Sequence, residues 1–366
     1  MKEIYFDNAS TALPVYPHDS EGCFGNPSTT HELGVKAYDA INQAKKDLCN
    51  ILGCEKDELV LTSGGTESNN LAIIGYALAH KRNNTKFAAF SWAHPSVTQA
   101  INQAAQLGYG QEIKLSQKFS SSSFAEDSNF ISIPHICHET GDRYNIEEIS
   151  QNLKLLNPKN IIHIDGVQGF CKEKINLRNI DLYSFSGHKI HAQSGTGGLF
   201  VKKGVRVSAL LHGGGQEMGL RAGTQNTQGI VSLSRTAKAI YENMESNLKK
   251  TSAVKAEMLK LVDELRCVYV NSSSETSPYI LNMSFTGVKG EVLVNMLSQK
   301  GIYVSTGAAC RVSKKDVPAL VLLGYSKERA DSAIRFSFSH FNTACEAKLA
   351  RNAIIECVIS LRKIRR

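Results

Sequence analysis

The first two thirds of the chain alternate short β-branched, apolar runs with stretches whose apolar residues recur at helical spacing. The runs Leu59–Thr62, Phe87–Ser91, Phe130–Pro134, Ile161–Asp165, Leu182–Ser186 and Gly198–Val201 read as buried strands. Helical periodicity fills segments between them, such as Glu67–His80 and Ser96–Leu107. That alternation predicts an α/β fold with a mainly parallel sheet covered by helices. Ser116–Ser128 is serine-rich and reads as a surface loop. From Ile230, the residues Leu233, Ala237, Tyr241, Met244 and Leu248 keep helical spacing, so one long helix is expected to lead into a second unit. The last third alternates again. Strands are expected at Cys267–Val270, Tyr279–Phe285, Ile302–Ser305 and Ala333–Ser339, with helix Glu291–Lys300 and a closing helix, which describes a smaller α/β domain.

Composition narrows the setting more than the fold. A chain of 366 residues, 42% hydrophobic and 21% charged, can bury a large core and is longer than one domain usually needs. No apolar run reaches the roughly 18 residues of a membrane span, and MKEIYFDNAS is not a basic-then-apolar leader. A cytoplasmic protein with no membrane partner is expected. The nine cysteines are odd in number, scattered and without a C-x-x-C pair, which fits a reducing compartment and no metal. The net charge is +8, but only Arg362, Lys363, Arg365 and Arg366 cluster. They read as a solvated helix end, so no direct nucleic-acid partner is expected.

Three segments carry candidate chemistry. In LTSGGTESNN, a strand ends in Gly64, Gly65 and Thr66 and a helix starts at once, which makes a cup of free N–H groups and a hydroxyl for a phosphate. A tight turn is an equally good reading of that segment alone. In IIHIDGVQG, the apolar strand ends in Asp165 with Gln168 three residues later, at the sheet edge where α/β proteins bind ligands. A buried carboxylate there needs a cationic partner, such as a protonated pyridine nitrogen, although Asp165 could also cap the next helix. In DLYSFSGHKIHAQSGTGGLF, Ser186, Gly187 and His188 precede Lys189 and a glycine-rich turn follows. Small residues before a lysine at a strand end suit a Schiff base, and Ser186 and His188 are suitable phosphate donors. In the strand after Ala333, Ile334, Phe336 and Phe338 share a face, which puts Arg335 on the other, where it can clamp a carboxylate or form a structural ion pair.

With these segments in hand, the chain resembles the class V aminotransferase group of fold-type I PLP-dependent transferases, and within it the NifS/IscS-like cysteine desulfurases. The resemblance rests on YFDNAST, FGNPSTTHELG, TSGGTESNNLAI, HIDGVQ, SFSGHK, HGGGQEMGLRAGTQN, STGAAC and IRFSFSHF, and covers nearly the whole chain. It implies a large pyridoxal 5'-phosphate-binding domain at 12–245. A small C-terminal domain at 246–366, joined by residues 1–11, would carry a catalytic cysteine loop. By position, Lys189 resembles the Schiff-base lysine, Asp165 the partner of the pyridine nitrogen and Gln168 the partner of the ring oxygen. Gly65, Thr66, Ser186 and His188 would hold the phosphate. His94, in SWAHPSV, matches a histidine that stacks on the ring and helps move protons. Thr224 matches a residue that reaches the phosphate of the other subunit, so a homodimer is implied. Cys310, in STGAAC, would take sulfur from L-cysteine as a persulfide and pass it to an acceptor protein for iron–sulfur assembly or tRNA thiolation. Arg335 would bind the substrate carboxylate.

The sequence also departs from that pattern. Cys137-His138 stands where relatives usually carry Asn-Asn, which leaves His138 to touch the ring oxygen with one N–H and puts a second thiol nearby. Ser339-His340 replaces the usual Gly-Arg. Another amino substrate, as in an aminotransferase or selenocysteine lyase, and a non-catalytic cofactor-binding relative stay open as alternatives. HGGGQE imitates a hydrolase oxyanion loop, but no G-x-S-x-G accompanies it.

Overall fold

The computed structural model describes residues 3–14, 24–115, 130–307 and 317–364. The chain divides into two compact units, one of Leu13–His135 with Tyr144–Glu242, the other of Met1–Ala12, Ile136–Arg143 and Asn243–Arg366. The second unit therefore takes in Ile136–Arg143, a segment that the linear division at 12–245 assigned to the large domain. Ile136 pairs with Arg143 across a tight turn, and Asp142 pairs with Thr276, so backbone hydrogen bonds tie this excursion to the C-terminal residues.

The larger unit is built on a seven-stranded sheet. Its order is Leu59–Thr62, Gly197–Val201, Leu182–Ser186, Ile161–Asp165, Phe130–Pro134, Thr85–Phe90 and Gly110–Leu115. Only Gly197–Val201 runs against the others. The central strands are buried along nearly their whole length, with only Ile161 partly exposed, as the near-continuous apolar runs require when helices cover both faces. The edge strand Gly110–Leu115 is only partly buried, and its mixed sequence GQEIKL gave no apolar run to read. At the opposite edge the backbone N–H of Leu61 donates to the carboxylate of buried Glu217 at 3.0 Å, so this end of the sheet is closed by a side chain. The serine-rich stretch at 116–128 lies outside the described residues.

Helical spacing at 67–80 corresponds to a continuous helix over 65–79 whose middle, Leu71–Gly75, is π-wound. The expected single helix from Ile230 is two, Thr227–Glu242 and Met244–Leu259. Asn243 leaves helical geometry between them (φ −106°, ψ 15°), and the boundary between the units falls there. Apolar periodicity ran through the break because both helices bury a face; asparagine's weak helix preference was the signal for it.

In the smaller unit, Val268–Val270, Ile280–Phe285 and Ala333–Ser337 form an antiparallel sheet, and Ile4–Tyr5 pairs with Ile302–Tyr303. Ile334, Phe336 and Phe338 enter a core with Phe6, Leu281 and Phe285, while Arg335 takes the other face as alternation demands. Among the described residues no helix is long and apolar enough to cross a membrane, and no group of His, Cys, Asp or Glu is suited to a metal ion. Seven described cysteines are all unbridged.

One polar ladder lies inside the large sheet. The fully buried His163 ring bonds Ser132 Oγ at 2.8 Å and Ser184 Oγ at 2.9 Å, linking three parallel strands. Burial pushes its pKa down to about 3, so the folded protein holds it neutral. An unfolded histidine protonates near pH 6.5, so the unfolded chain binds the extra proton below that pH and stability falls until about pH 3. The thermal midpoint is expected to drop between pH 7 and 5 by the equivalent of about 2 kcal/mol from this residue alone. His163→Gln should remove that part of the slope, and parallel slopes for the two proteins would refute the assignment.

Candidate active site

The strands Leu59–Thr62, Leu182–Ser186 and Ile161–Asp165 all end at the same edge of the large sheet, because the reversed strand Gly197–Val201 restores their common direction. Thr62 and Ser186 face the same residue, Gly197, across the ladder. After Thr62 the backbone reaches Gly64 at φ 151°, ψ −177°, a region open to glycine alone, and the helix begins at Gly65. A Cβ on Gly65 would lie 2.4 Å from Val167 Cγ2 and 3.5 Å from Ser186 Cβ, so only a glycine lets these three segments meet. The first N–H groups of a helix have no intrahelical acceptor, and they open here beside Ser186. The Ser186 hydroxyl is buried and has no hydrogen-bond partner among the described residues. A buried hydroxyl aimed at a cup of N–H groups calls for an oxygen-rich anion. Thr66 is exposed at the same helix start and lines an open cleft with Asn70, His94, Ser96 and Gln99.

Asp165 ends its strand almost buried. Its Oδ1 accepts from the Val167 N–H and its Oδ2 from Asn69 Nδ2, both at 3.1 Å. Gln168 is buried one turn on, and its Oε1 accepts from Lys172 Nζ at 3.4 Å. That bond fixes the carboxamide so that Nε2 is its donor end. Lys172 is itself buried, and burial first, then the charge of Lys189, pushes its pKa down to about 7. Lys189 closes the short 3-10 turn after Ser186, with His188 beside it. Burial, followed by the charges of Lys189 and Lys172, pushes His188 down to about 4, so it serves as a neutral hydrogen-bonding ring. His94 caps the helix Pro95–Gln106, where Nδ1 accepts from the Ser96 N–H at 3.2 Å. Thr224 is exposed just after Gly223.

Arg335 and His138 belong to the smaller unit. Arg335 Nη2 donates to Ser10 Oγ at 2.7 Å and lies 3.3 Å from Asp7 Oδ1, while Nη1 donates to the backbone oxygen of His138 at 2.9 Å. Its Nε is buried without a partner among the described residues. A planar guanidinium held on two sides with an unused donor suits a carboxylate ligand. His138 engages Arg335 through its main chain, and its ring lies 3.7 Å from Glu139 Oε1. Cys137 is fully buried, and that burial pushes its pKa up to about 11, which keeps the thiol protonated. Ser305 exchanges backbone hydrogen bonds with Arg335, so the strand carrying the arginine also anchors the start of STGAAC. Cys310 lies outside the described residues.

Comparison with known proteins decides what this arrangement belongs to. Residues 4–349 match the family model for aminotransferase class-V. The chain belongs to this family. It is 34% identical to a putative cysteine desulfurase IscS 1 of Bacillus subtilis, over 98% of this chain and 99% of the relative. It is 32% identical to a NifS/IcsS protein homolog of Lactobacillus delbrueckii, over 94% of each. A solved NifS-like protein superimposes with a TM-score of 0.90 at 27% identity, covering 98% of this chain and all of that one. Within the family the chain is therefore a NifS/IscS-like member with the fold-type I architecture.

Membership implies pyridoxal phosphate, and the residues present fit it. The cup at Gly65, Thr66 and Ser186 offers donors to a phosphate, the Asp165 carboxylate can face a ring nitrogen, Gln168 Nε2 a ring oxygen, and Lys189 an aldehyde. Asn69, Ser96, Lys172, Asp7 and Ser10 were not singled out from the sequence. Each looked like an ordinary polar residue, and its contacts in the fold, such as Asn69 to Asp165, Ser10 to Arg335 and Lys172 to Gln168, give it a place. Ser186→Ala is expected to leave the cofactor-free protein as stable as wild type or up to about 1 kcal/mol more stable, since an unsatisfied buried hydroxyl is removed. Retention of pyridoxal phosphate on dialysis should weaken about tenfold. A loss of stability with unchanged retention would contradict the phosphate role.

Proposed function

We propose that this protein is a pyridoxal-phosphate-dependent cysteine desulfurase that converts L-cysteine to L-alanine, takes the sulfur as a persulfide on Cys310 and passes it to an acceptor protein. The observation that carries this reading is the single sheet edge where Ser186, Asp165, Gln168 and Lys189 come together, in a chain whose relatives are named for that reaction. Phosphate binding falls to Gly65, Thr66, Ser186 and His188, and the ring is held by Asp165, Gln168 and His94. When bound, the cofactor supplies an electron-withdrawing ring that stabilises negative charge at the substrate α-carbon.

The chain's own residues do the rest. Arg335 binds the substrate carboxylate with the guanidinium that Asp7 and Ser10 hold flat. Lys189 carries a proton to and from the substrate α-carbon, with His94 assisting. The Cys310 thiolate attacks the substrate sulfur. The carbon–sulfur bond breaks as the sulfur–sulfur bond forms, the β-carbon takes up a proton, and alanine leaves. A thiol acceptor or reductant then removes the outer sulfur. His138, with its carbonyl on Arg335, contributes to the substrate side of the site, and a ring contact to the cofactor is its second role in this reading. Thr224 reaches the phosphate of a second copy in a homodimer, and the seven described cysteines, all unbridged, suit the reducing cytoplasm.

Purified protein loaded with cofactor, L-cysteine and a reductant should yield alanine and sulfide in equal amounts. Cys310→Ala should lose both by more than about 100-fold while keeping the cofactor's visible absorbance. Arg335→Lys should raise KM for cysteine about 10-fold to 100-fold, because an ammonium cannot make the paired hydrogen bonds. A protein that binds the cofactor and forms no alanine would end the desulfurase reading and point to another amino substrate.

A further inference from the structure

Behind the ring-binding residues, one hydrogen-bond chain crosses three elements of the larger unit. Asn69, on the helix over 65–79, gives one amide N–H to Asp165 Oδ2 at 3.1 Å and the other to Ser96 Oγ at 2.9 Å. A carboxylate only accepts, so the amide cannot be turned round without facing oxygen to oxygen. Both Asn69 and Ser96 are buried. Ser96 Oγ accepts from Asn69 and lies 2.8 Å from His94 Nδ1, and because a backbone N–H that can only donate also meets that nitrogen, Nδ1 is the acceptor and the Ser96 O–H the donor. The Ser96 N–H points at the same nitrogen from 3.2 Å. Pro95 occupies the first helical position and has no N–H, so that of Ser96 is the first the helix presents. Nδ1 thus meets two donors.

We propose that Asn69 and Ser96 are positioning residues that transmit the fixed polarity of the Asp165 carboxylate to His94 and hold its ring in the tautomer protonated on Nε2. Direction is what the chain supplies. The Asn69 amide can only donate to the Asp165 carboxylate, the Ser96 N–H can only donate to Nδ1, and together they orient the hydroxyl between them toward the imidazole. Proton exchange by His94 is thereby confined to Nε2, and rotation about its side chain is opposed by two hydrogen bonds on the other nitrogen. Helix capping alone accounts for the Ser96 N–H bond but not for the buried hydroxyl or for the amide behind it. The catalytic meaning of this arrangement rests on His94 acting in the proposed desulfurase site, whereas the tautomer itself does not.

The test is a two-bond proton–nitrogen spectrum of the holoenzyme labelled with 15N only at histidine, with His94 assigned by the signals lost in His94→Gln. Wild type should show His94 protonated on Nε2, with Nδ1 accepting. Ser96→Ala and Asn69→Ala should each show both tautomers in exchange, and Ser96→Thr should restore the wild-type pattern because it keeps the hydroxyl. Ser96→Ala should lower kcat for alanine formation about threefold to tenfold, the worth of one buried hydrogen bond, with KM for cysteine changed less than about twofold. A wild-type ring protonated on Nδ1 would overturn the proposal, as would an unaltered tautomer in both alanine variants. A wild type that shows the Nε2–H ring but makes no alanine would uphold the relay and remove the desulfurase reading.

Discussion

The structure depends on keeping a carboxylate, Asp165, nearly out of water at the end of a central parallel strand. Taking an isolated charge into such a place costs several kcal/mol unless donors and an opposite charge surround it. Two donors are built in, the Val167 N–H from the turn that follows and Asn69 Nδ2 from a helix distant in sequence. A cation at the same edge would add to that compensation. In the proposed reading a protonated ring nitrogen meets that demand. Glycines at 64 and 65 bring a helix start close, and Ser186 turns an unsatisfied hydroxyl toward the same cup.

The same principle sets the properties of the basic groups around Lys189. Two lysines and a histidine within one buried neighbourhood cannot all be charged cheaply. Burial and mutual repulsion lower Lys172 to about 7 and His188 to about 4. His188 is therefore held neutral, and Lys172 orients Gln168. In the smaller unit the logic is reversed. There Asp7, Ser10 and the His138 carbonyl accept from the two Nη groups of Arg335, and its Nε has no partner among the described residues.

What the sequence disclosed follows from how local each signal is. Central strands such as Ile161–Asp165 are buried on both faces, and an unbroken apolar run records that directly. Gly64-Gly65-Thr66 and Ser186-Gly187-His188-Lys189 were legible because their backbone demands small residues at fixed spacing. The edge strand Gly110–Leu115 was not legible, since an edge needs no continuous hydrophobicity, and the break at Asn243 was hidden by apolar positions that stay in phase across it. Ile136–Arg143 illustrates a third limit. Nothing in HICHETGDR announces that its partners are Thr276 and Asn282, because strand-like pairing over that separation is decided by the whole fold.

Asn69 shows why the second layer of a site escapes a linear reading even when the first does not. As one of two adjacent asparagines after a helix start, it has the look of a capping or solvent-facing residue. Its neighbour Asn70 behaves that way and bonds back to Thr66 of its own helix. Asn69 instead turns inward, and one amide spans two acceptors that lie 27 and 96 residues away. The π-wound turn at Leu71–Gly75 follows at once, and such turns shift the phase of a helix relative to its neighbours. A helical periodicity fitted through 67–80 assumes constant phase and so cannot tell which of the two asparagines faces the sheet. The residue type gave the chemistry; its direction depends on the phase of the helix against the sheet, which composition does not encode.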